Sequence, residues 1–170
     1  MNSLEKNSNM MGSATVLTVF GPLTLLADKQ GLARIILPDT AQPRQTTGEN
    51  RAEKHPVLQT AARQIIEYTE ERRCTFDLPL SLSGTKFQKQ VWEIIKNIPY
   101  GQTLSYGDIA RKLGDRNKAR AVGGAANANP LPLMIPCHRV IGSDGSLTGF
   151  AGGLDLKEKL LLLEKSFKKR

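Results

Sequence analysis

Cysteine and histidine are scarce: the 170-residue chain carries only Cys74, Cys137, His55 and His138. Two cysteines cannot form a disulfide framework, and these residues do not make a four-ligand structural zinc site, so no metal or cofactor is expected. Aromatic residues make up 5%, with a single tryptophan. No run approaches the roughly 18 apolar residues of a membrane span, and no basic-then-apolar leader opens the chain. A cytoplasmic protein with no membrane partner is therefore expected. What the sequence does have is positive charge: 24 Lys and Arg against 16 Asp and Glu, net +8. The excess is uneven. Residues 1–83 hold nine basic and nine acidic side chains, whereas residues 84–170 hold fifteen and seven. The polar first dozen residues, MNSLEKNSNMMG, read as a flexible tail over residues 1–12, and a neutral half followed by a basic half predicts two modules, 13–82 and 83–170, the second meeting a polyanion. On charge alone, a basic surface without a partner is an equal alternative.

Ala14 to Phe20, Leu23 to Ala27 and Leu32 to Leu37 read as strands of an antiparallel meander, broken by Gly21-Pro22 and by Asp28-Lys29-Gln30-Gly31. Pro38 to Arg51 is polar and reads as a mobile loop. A helix follows from Pro56, with Val57, Leu58, Ala61, Ala62, Ile65 and Ile66 at helical spacing. Thr75 to Leu82 reads as a last strand or an extended linker. The first module is thus a small α/β unit without a catalytic signature.

The second module is mostly helical. Thr85-Lys86-Phe87-Gln88 fits a capping box, and Phe87, Val91, Ile94, Ile95 and Ile98 form an apolar stripe. Ser105-Tyr106-Gly107-Asp108 opens a short helix that Gly114 stops. A third helix covers Lys118 to Ala128. Two short helices with so tight a connection make a helix-turn-helix candidate, in which Arg111, Lys112, Arg116, Lys118 and Arg120 cluster beside Asp115. A surface hairpin with solvated charges fits the pattern equally well.

Three residues can do chemistry. Pro130 to Val140 reads PLPLMIPCHRV, so the backbone around Cys137 is expected to be stiff and extended. His138 is its neighbour, but adjacent side chains of an extended strand face opposite ways, so a turn is needed to bring the pair together. Free cysteine has a pKa near 8.5, and the thiol needs a base or a positive charge to react. Glu164 lies on the apolar stripe of a last helix opened by Asp155, with Leu156, Leu160, Leu163 and Phe167. A carboxylate facing a core needs a partner, and His138 is the one proposed; Lys157 or Lys168 is the alternative. Cys137 as an inert thiol and His138 as a core histidine are the competing readings.

The run Pro136 to Val140 resembles the active-site signature of the O6-alkylguanine-DNA alkyltransferases, also called methylated-DNA–protein-cysteine methyltransferases. The likeness extends over roughly residues 84 to 167: Tyr106 in SYGDIA, ARAVGGA at Ala119 to Ala125, Asn129-Pro130, PCHRV, GFAGGL at Gly149 to Leu154, and Glu164. The resemblance implies a ribonuclease H-like α/β domain followed by a mostly α, winged-helix-like domain. It implies a repair protein, acting as a monomer, that binds duplex DNA through the minor groove and flips out O6-alkylguanine. The alkyl group then passes irreversibly to Cys137. His138 is implied as base through a water, Glu164 as its orienter, and Tyr106 as donor to the base and helper in turning the nucleotide. Arg120 is implied to fill the gap, on a helix whose Ala119, Ala121, Gly123 and Gly124 allow close approach to the groove. Asn129 is implied as hinge, with Val140, Phe150 and Ala151 lining the pocket. Phe150 stands where many members carry Tyr, and Ala151 replaces a hydroxyl found in some. On this reading the sulfur is held ionised beside imidazole and carboxylate. A DNA-binding regulator with an inert Cys137 is the alternative from another class, and a cysteine hydrolase ranks last.

Overall fold

The computed structural model describes residues 12–38 and 55–167. The expected tail before Gly12, most of the expected loop after Pro38, and the basic end from Lys168 lie outside the described residues, as does the side chain of Phe167. The chain divides into two compact units, Met1–Ser83 and Gly84–Arg170.

In the first unit, β1 (Gly12–Thr18), β2 (Gly21–Ala27) and β3 (Leu32–Ile36) form an antiparallel sheet in that order. Alternation sends Ala14, Val16, Leu23 and Leu25 to one face, and a register shift opposite Leu26 and Ala27 lets Leu32 and Ile35 join them, where all are buried. The helix α1 (Pro56–Thr69) buries Leu58, Ala61, Ile65 and Tyr68. Ile66 is instead exposed, because a stripe of period 3.6 passes from Ile65 to Tyr68 and leaves it on the outer edge. The segment expected as strand or linker after Thr75 makes one parallel bridge, Leu32 to Leu80. It runs so close that a Cβ at Gly31 would lie 2.3 Å from Pro79 O, which explains the glycine.

In the second unit, α2 (Lys86–Lys96) carries the expected capping box, Thr85 Oγ1 accepting from Gln88 N. Its buried face is Val91, Trp92 and Ile95. Trp92 donates its indole N–H to Ala125 O at 2.8 Å, pinning α2 to a later helix. A two-residue strand β4 (Leu104–Ser105) leads into α3 (Tyr106–Lys112), and α4 (Ala119–Asn127) follows a 3₁₀ turn at Arg116–Lys118. Ser105 and Asp108 cap α3 reciprocally. Gly114, with φ +84°, ends it as Asp115 N bonds back to Ala110 O. The strand β5 (Val140–Ile141) pairs parallel with β4, Leu104 beside Val140. That parallel pairing puts Tyr106, next after β4, level with Gly142, next after β5, on the side of the Thr148–Gly149 loop that its hydroxyl reaches. The last helix, α5 (Leu154–Phe167), does not take Asp155 as its cap. Lys157 N bonds to Gly153 O, so the helix starts two residues earlier than expected and Asp155 lies in the first turn. Among the described residues no helix is long and apolar enough to cross a membrane.

Candidate active site and nucleic-acid interface

The PLPLMIPCHRV run is folded, not extended. Its prolines carry no N–H, so no strand ladder can form along it, and a side chain supplies the missing partners. Asn129 accepts from Leu131 N at 2.9 Å and donates to Ile135 O at 2.7 Å and to Cys137 Sγ at 3.3 Å. Leu133, buried, adopts φ +75°, a conformation rare for a branched side chain, held by the bond from Ile135 N to Leu131 O. Cys137–Arg139 then forms a single 3₁₀ turn. The expected extension is thus replaced by a turn at the cysteine and histidine.

His138 and Glu164 have no exposed surface. His138 Nε2 lies 2.8 Å from Glu164 Oε1. The carboxylate accepts four more bonds, from two residues. Arg139 Nε and Nη2 reach it at 2.8–3.1 Å, and Gly101 N donates at 2.8 Å. Gly101 adopts φ +71° in the turn after Ile98, which aims its amide at the carboxylate. Arg139 also donates Nη1 to Ile98 O at 2.6 Å and stacks 5.5 Å from the Tyr100 ring centroid. Burial alone would raise the Glu164 pKa; His138 and Arg139 override it and hold the carboxyl down to about 2. Burial pushes the His138 pKa down, against the pull of Glu164. The histidine is therefore neutral, with its proton on Nε2 facing the carboxylate and Nδ1 as the basic nitrogen.

Cys137 departs from expectation. It is 6% exposed, and burial raises its thiol pKa, opposed by the Asn129 amide and the Lys157 charge. The sulfur thus rests as a thiol, because desolvation outweighs both helpers. Ionisation has to accompany the reaction rather than precede it.

Tyr106 is half-buried; its hydroxyl donates to Thr148 O at 3.0 Å, and its ring is beside Gly123 of α4, where a Cβ would lie 3.8 Å away. Phe150 packs edge-on to His138, ring centroids 6.4 Å apart. Val140 lies at the start of β5, buried, and Ala151 is exposed in the turn before α5. On α4, Val122, Ala125 and Ala126 are buried, which leaves Arg120, Ala121 and Gly124 exposed, Ala119 and Gly123 at the margin. The exposed strip is small-sided with an arginine at its start. Arg111 is tied back to Asp108, and Lys118 approaches Asp115 at 3.7 Å.

The structure therefore brings Cys137, His138, Glu164, Asn129, Val140, Phe150 and Tyr106 to one end of the second unit. Two residues there were missed in the sequence. Arg139 stood inside the quoted run without a role, although a buried glutamate needs a cation. Lys157, the alternative partner for Glu164, donates instead to carbonyls. Its spacing of two helical turns from Glu164 was the available signal.

Residues 86–166 match the family model described as 6-O-methylguanine DNA methyltransferase, DNA binding domain, and residues 13–82 that described as its ribonuclease-like domain. A methylated-DNA–protein-cysteine methyltransferase of Methanosarcina acetivorans is 42% identical over 146 residues, 86% of this chain and 93% of the relative. The chain belongs to the 6-O-methylguanine DNA methyltransferase family. The constitutive methyltransferase of Bacillus subtilis is 39% identical over 92% of this chain and 97% of its own. The crystal structure of Mycobacterium tuberculosis OGT in complex with DNA superposes with a TM-score of 0.81 at 39% identity, covering 92% of this chain and 94% of that one. The fold expected from the sequence, a small antiparallel sheet plus helix followed by a helical domain with a helix-turn-helix, is thus that of this methyltransferase family.

Proposed function

We propose that Cys137 is the alkyl acceptor of this methyltransferase and that O6-alkylguanine, flipped out of duplex DNA, is the donor. Membership of the family makes the protein a DNA repair methyltransferase that restores alkylated DNA by direct reversal, with DNA as its partner. The observation that carries the assignment is the buried Glu164–His138 pair next to Cys137, the orienter–base–nucleophile order of hydrolytic triads. Sγ attacks the alkyl carbon in line and the carbon–O6 bond breaks. The thiol proton passes through a water to His138, and the departing guanine takes a proton from the Tyr106 hydroxyl, so the two sites exchange one proton through solvent afterwards. The thioether has no route back, and each molecule acts once.

A paired base cannot reach a buried thiol, so extrusion is required, at a cost of a few kcal/mol. Arg120 fills the space left behind. The exposed strip of Ala121 and Gly124, flanked by Ala119 and Gly123, suits a shallow minor groove, where sequence readout is poor and a lesion scanner needs none. Asn129 acts as hinge, Val140 and Ala151 offer backbone groups to guanine, and Phe150 walls the alkyl group. The protein acts as a monomer in the cytoplasm. Titration of a fixed amount of protein with an O6-methylguanine duplex tests this: repair stops at one lesion per molecule, and repeated turnover by one molecule contradicts it.

A further inference from the structure

Lys157 is fully buried, and its ammonium has three protons and three acceptors: Val140 O and Thr148 O, each at 2.6 Å, and Gly149 O at 3.5 Å. The Tyr106 hydroxyl donates to the same two loop carbonyls, at 3.0 Å to Thr148 O and 3.4 Å to Gly149 O. Nζ lies 6.0 Å from the centre of the Tyr106 ring. The loop comes to the tyrosine by backbone alone: Gly149 has φ +49°, and a Cβ there would lie 3.4 Å from the hydroxyl oxygen.

The two donors are not equivalent. A buried ammonium that gives up a carbonyl is left with an unpaired charged donor, and its bonds are the stronger, charge-assisted kind. The tyrosine is neutral and half-buried, and its single proton serves either the loop or a nucleobase, not both. We propose that Lys157 is a positioning residue that holds the Thr148–Gly149 loop by itself, which frees the Tyr106 hydroxyl to leave the loop and donate to the incoming base. The inference rests on the role given above to Tyr106. Without the ammonium, the hydroxyl is the one side-chain donor left on these carbonyls among the described residues, and base binding competes with loop holding.

The test is single-turnover alkyl transfer from free O6-benzylguanine to the full-length protein, read by intact mass, with half-saturating concentration separated from rate at saturation. Wild type, Lys157→Met, Tyr106→Phe and the double variant are compared. Lys157→Met raises the half-saturating concentration about tenfold when Tyr106 is present, and less than about twofold in the Tyr106→Phe background, where no hydroxyl is contested. Equal effects in both backgrounds overturn the proposal. Amide hydrogen exchange over residues 147–151 is the second arm and needs no alkyl transfer. Lys157→Met speeds exchange there about tenfold, whereas Tyr106→Phe, which leaves the buried lysine in place, changes it less than about twofold. Loop exchange in Tyr106→Phe as fast as in Lys157→Met overturns the proposal. Failure of wild type to take up the benzyl group counts against Cys137 as acceptor and leaves the exchange arm to decide the role of Lys157.

Discussion

Glu164 Oε1 stands 2.8 Å from His138 Nε2, and the same oxygen accepts from Arg139 Nη2 at 2.8 Å. The carboxylate is thus shared between a neutral imidazole and a permanent cation. Its affinity for a proton is spent on Arg139 and Gly101, so it does not take the histidine proton; it fixes the tautomer. Arg139 makes the buried carboxylate tolerable, and Glu164 in turn aims the imidazole. Removing either partner leaves a buried charge.

Glu164→Gln tests the orienting role. The amide retains the shape, but it faces Arg139 without charge and destabilises the protein by about 3–5 kcal/mol, the range for breaking a buried pair. Transfer to Cys137 slows by about 10²–10⁴, the usual contribution of a positioned base. DNA binding persists, because the α4 strip is untouched. Thermal melting, single-turnover kinetics and duplex titration at low temperature read these separately.

Acid weakens the protein. Glu164 titrates in the fold near about 2 instead of its ordinary 4.5, so its contribution is complete above pH 4.5 and disappears as pH falls toward 2. The shift is on the order of 3 kcal/mol. His138, also depressed in the fold from 6.5, acts in the same direction: below pH 6.5 the unfolded chain gains a proton that the buried ring resists. Denaturant unfolding from pH 7.5 to 3 therefore shows stability falling steadily with pH. A maximum below pH 5 contradicts the network.

Asn129→Ala removes three buried bonds at once, to Leu131 N, Ile135 O and Cys137 Sγ. The expected loss is about 2–4 kcal/mol, from stranded backbone groups in a run rich in proline. The thiol also loses the amide that lowers its pKa. Iodoacetamide reactivity against pH shows the thiol of this variant ionising at higher pH than in wild type. An unchanged profile removes Asn129 from the chemistry.

Arg120→Ala separates flipping from transfer. Only a duplex needs its gap filled, so repair of O6-methylguanine in duplex DNA slows at least about tenfold while transfer from free O6-benzylguanine changes less than about twofold. Equal losses on both substrates refute the gap-filling role.

Local rules carried much of this fold. The capping residues Thr85 and Ser105, the stop at Gly114 and the alternation of Ala14, Val16, Leu23 and Leu25 depend on near neighbours and were legible. The Glu164–His138 pair was legible because a carboxylate on an apolar stripe needs a partner. Other features were not. The turns around Cys137 depend on Asn129 replacing the hydrogen bonds that prolines cannot make, which proline content alone read as extension. The thiol state depends on burial, which outweighs Asn129 and Lys157 and has no local pattern. Arg139 and Lys157 act through carbonyls and a carboxylate distant in sequence, so their roles emerge only when α5 meets β5, the turn before it and the loop after it.

The most direct measurement is peptide mass spectrometry after the full-length protein is mixed with an O6-methylguanine duplex, alongside Cys137→Ser. The account predicts a single addition of about 14 Da, the mass of CH₂, on the peptide holding Cys137, stoichiometric with lesions repaired, and none on the serine variant. Repair without modification of Cys137, or modification at Cys74 instead, contradicts it.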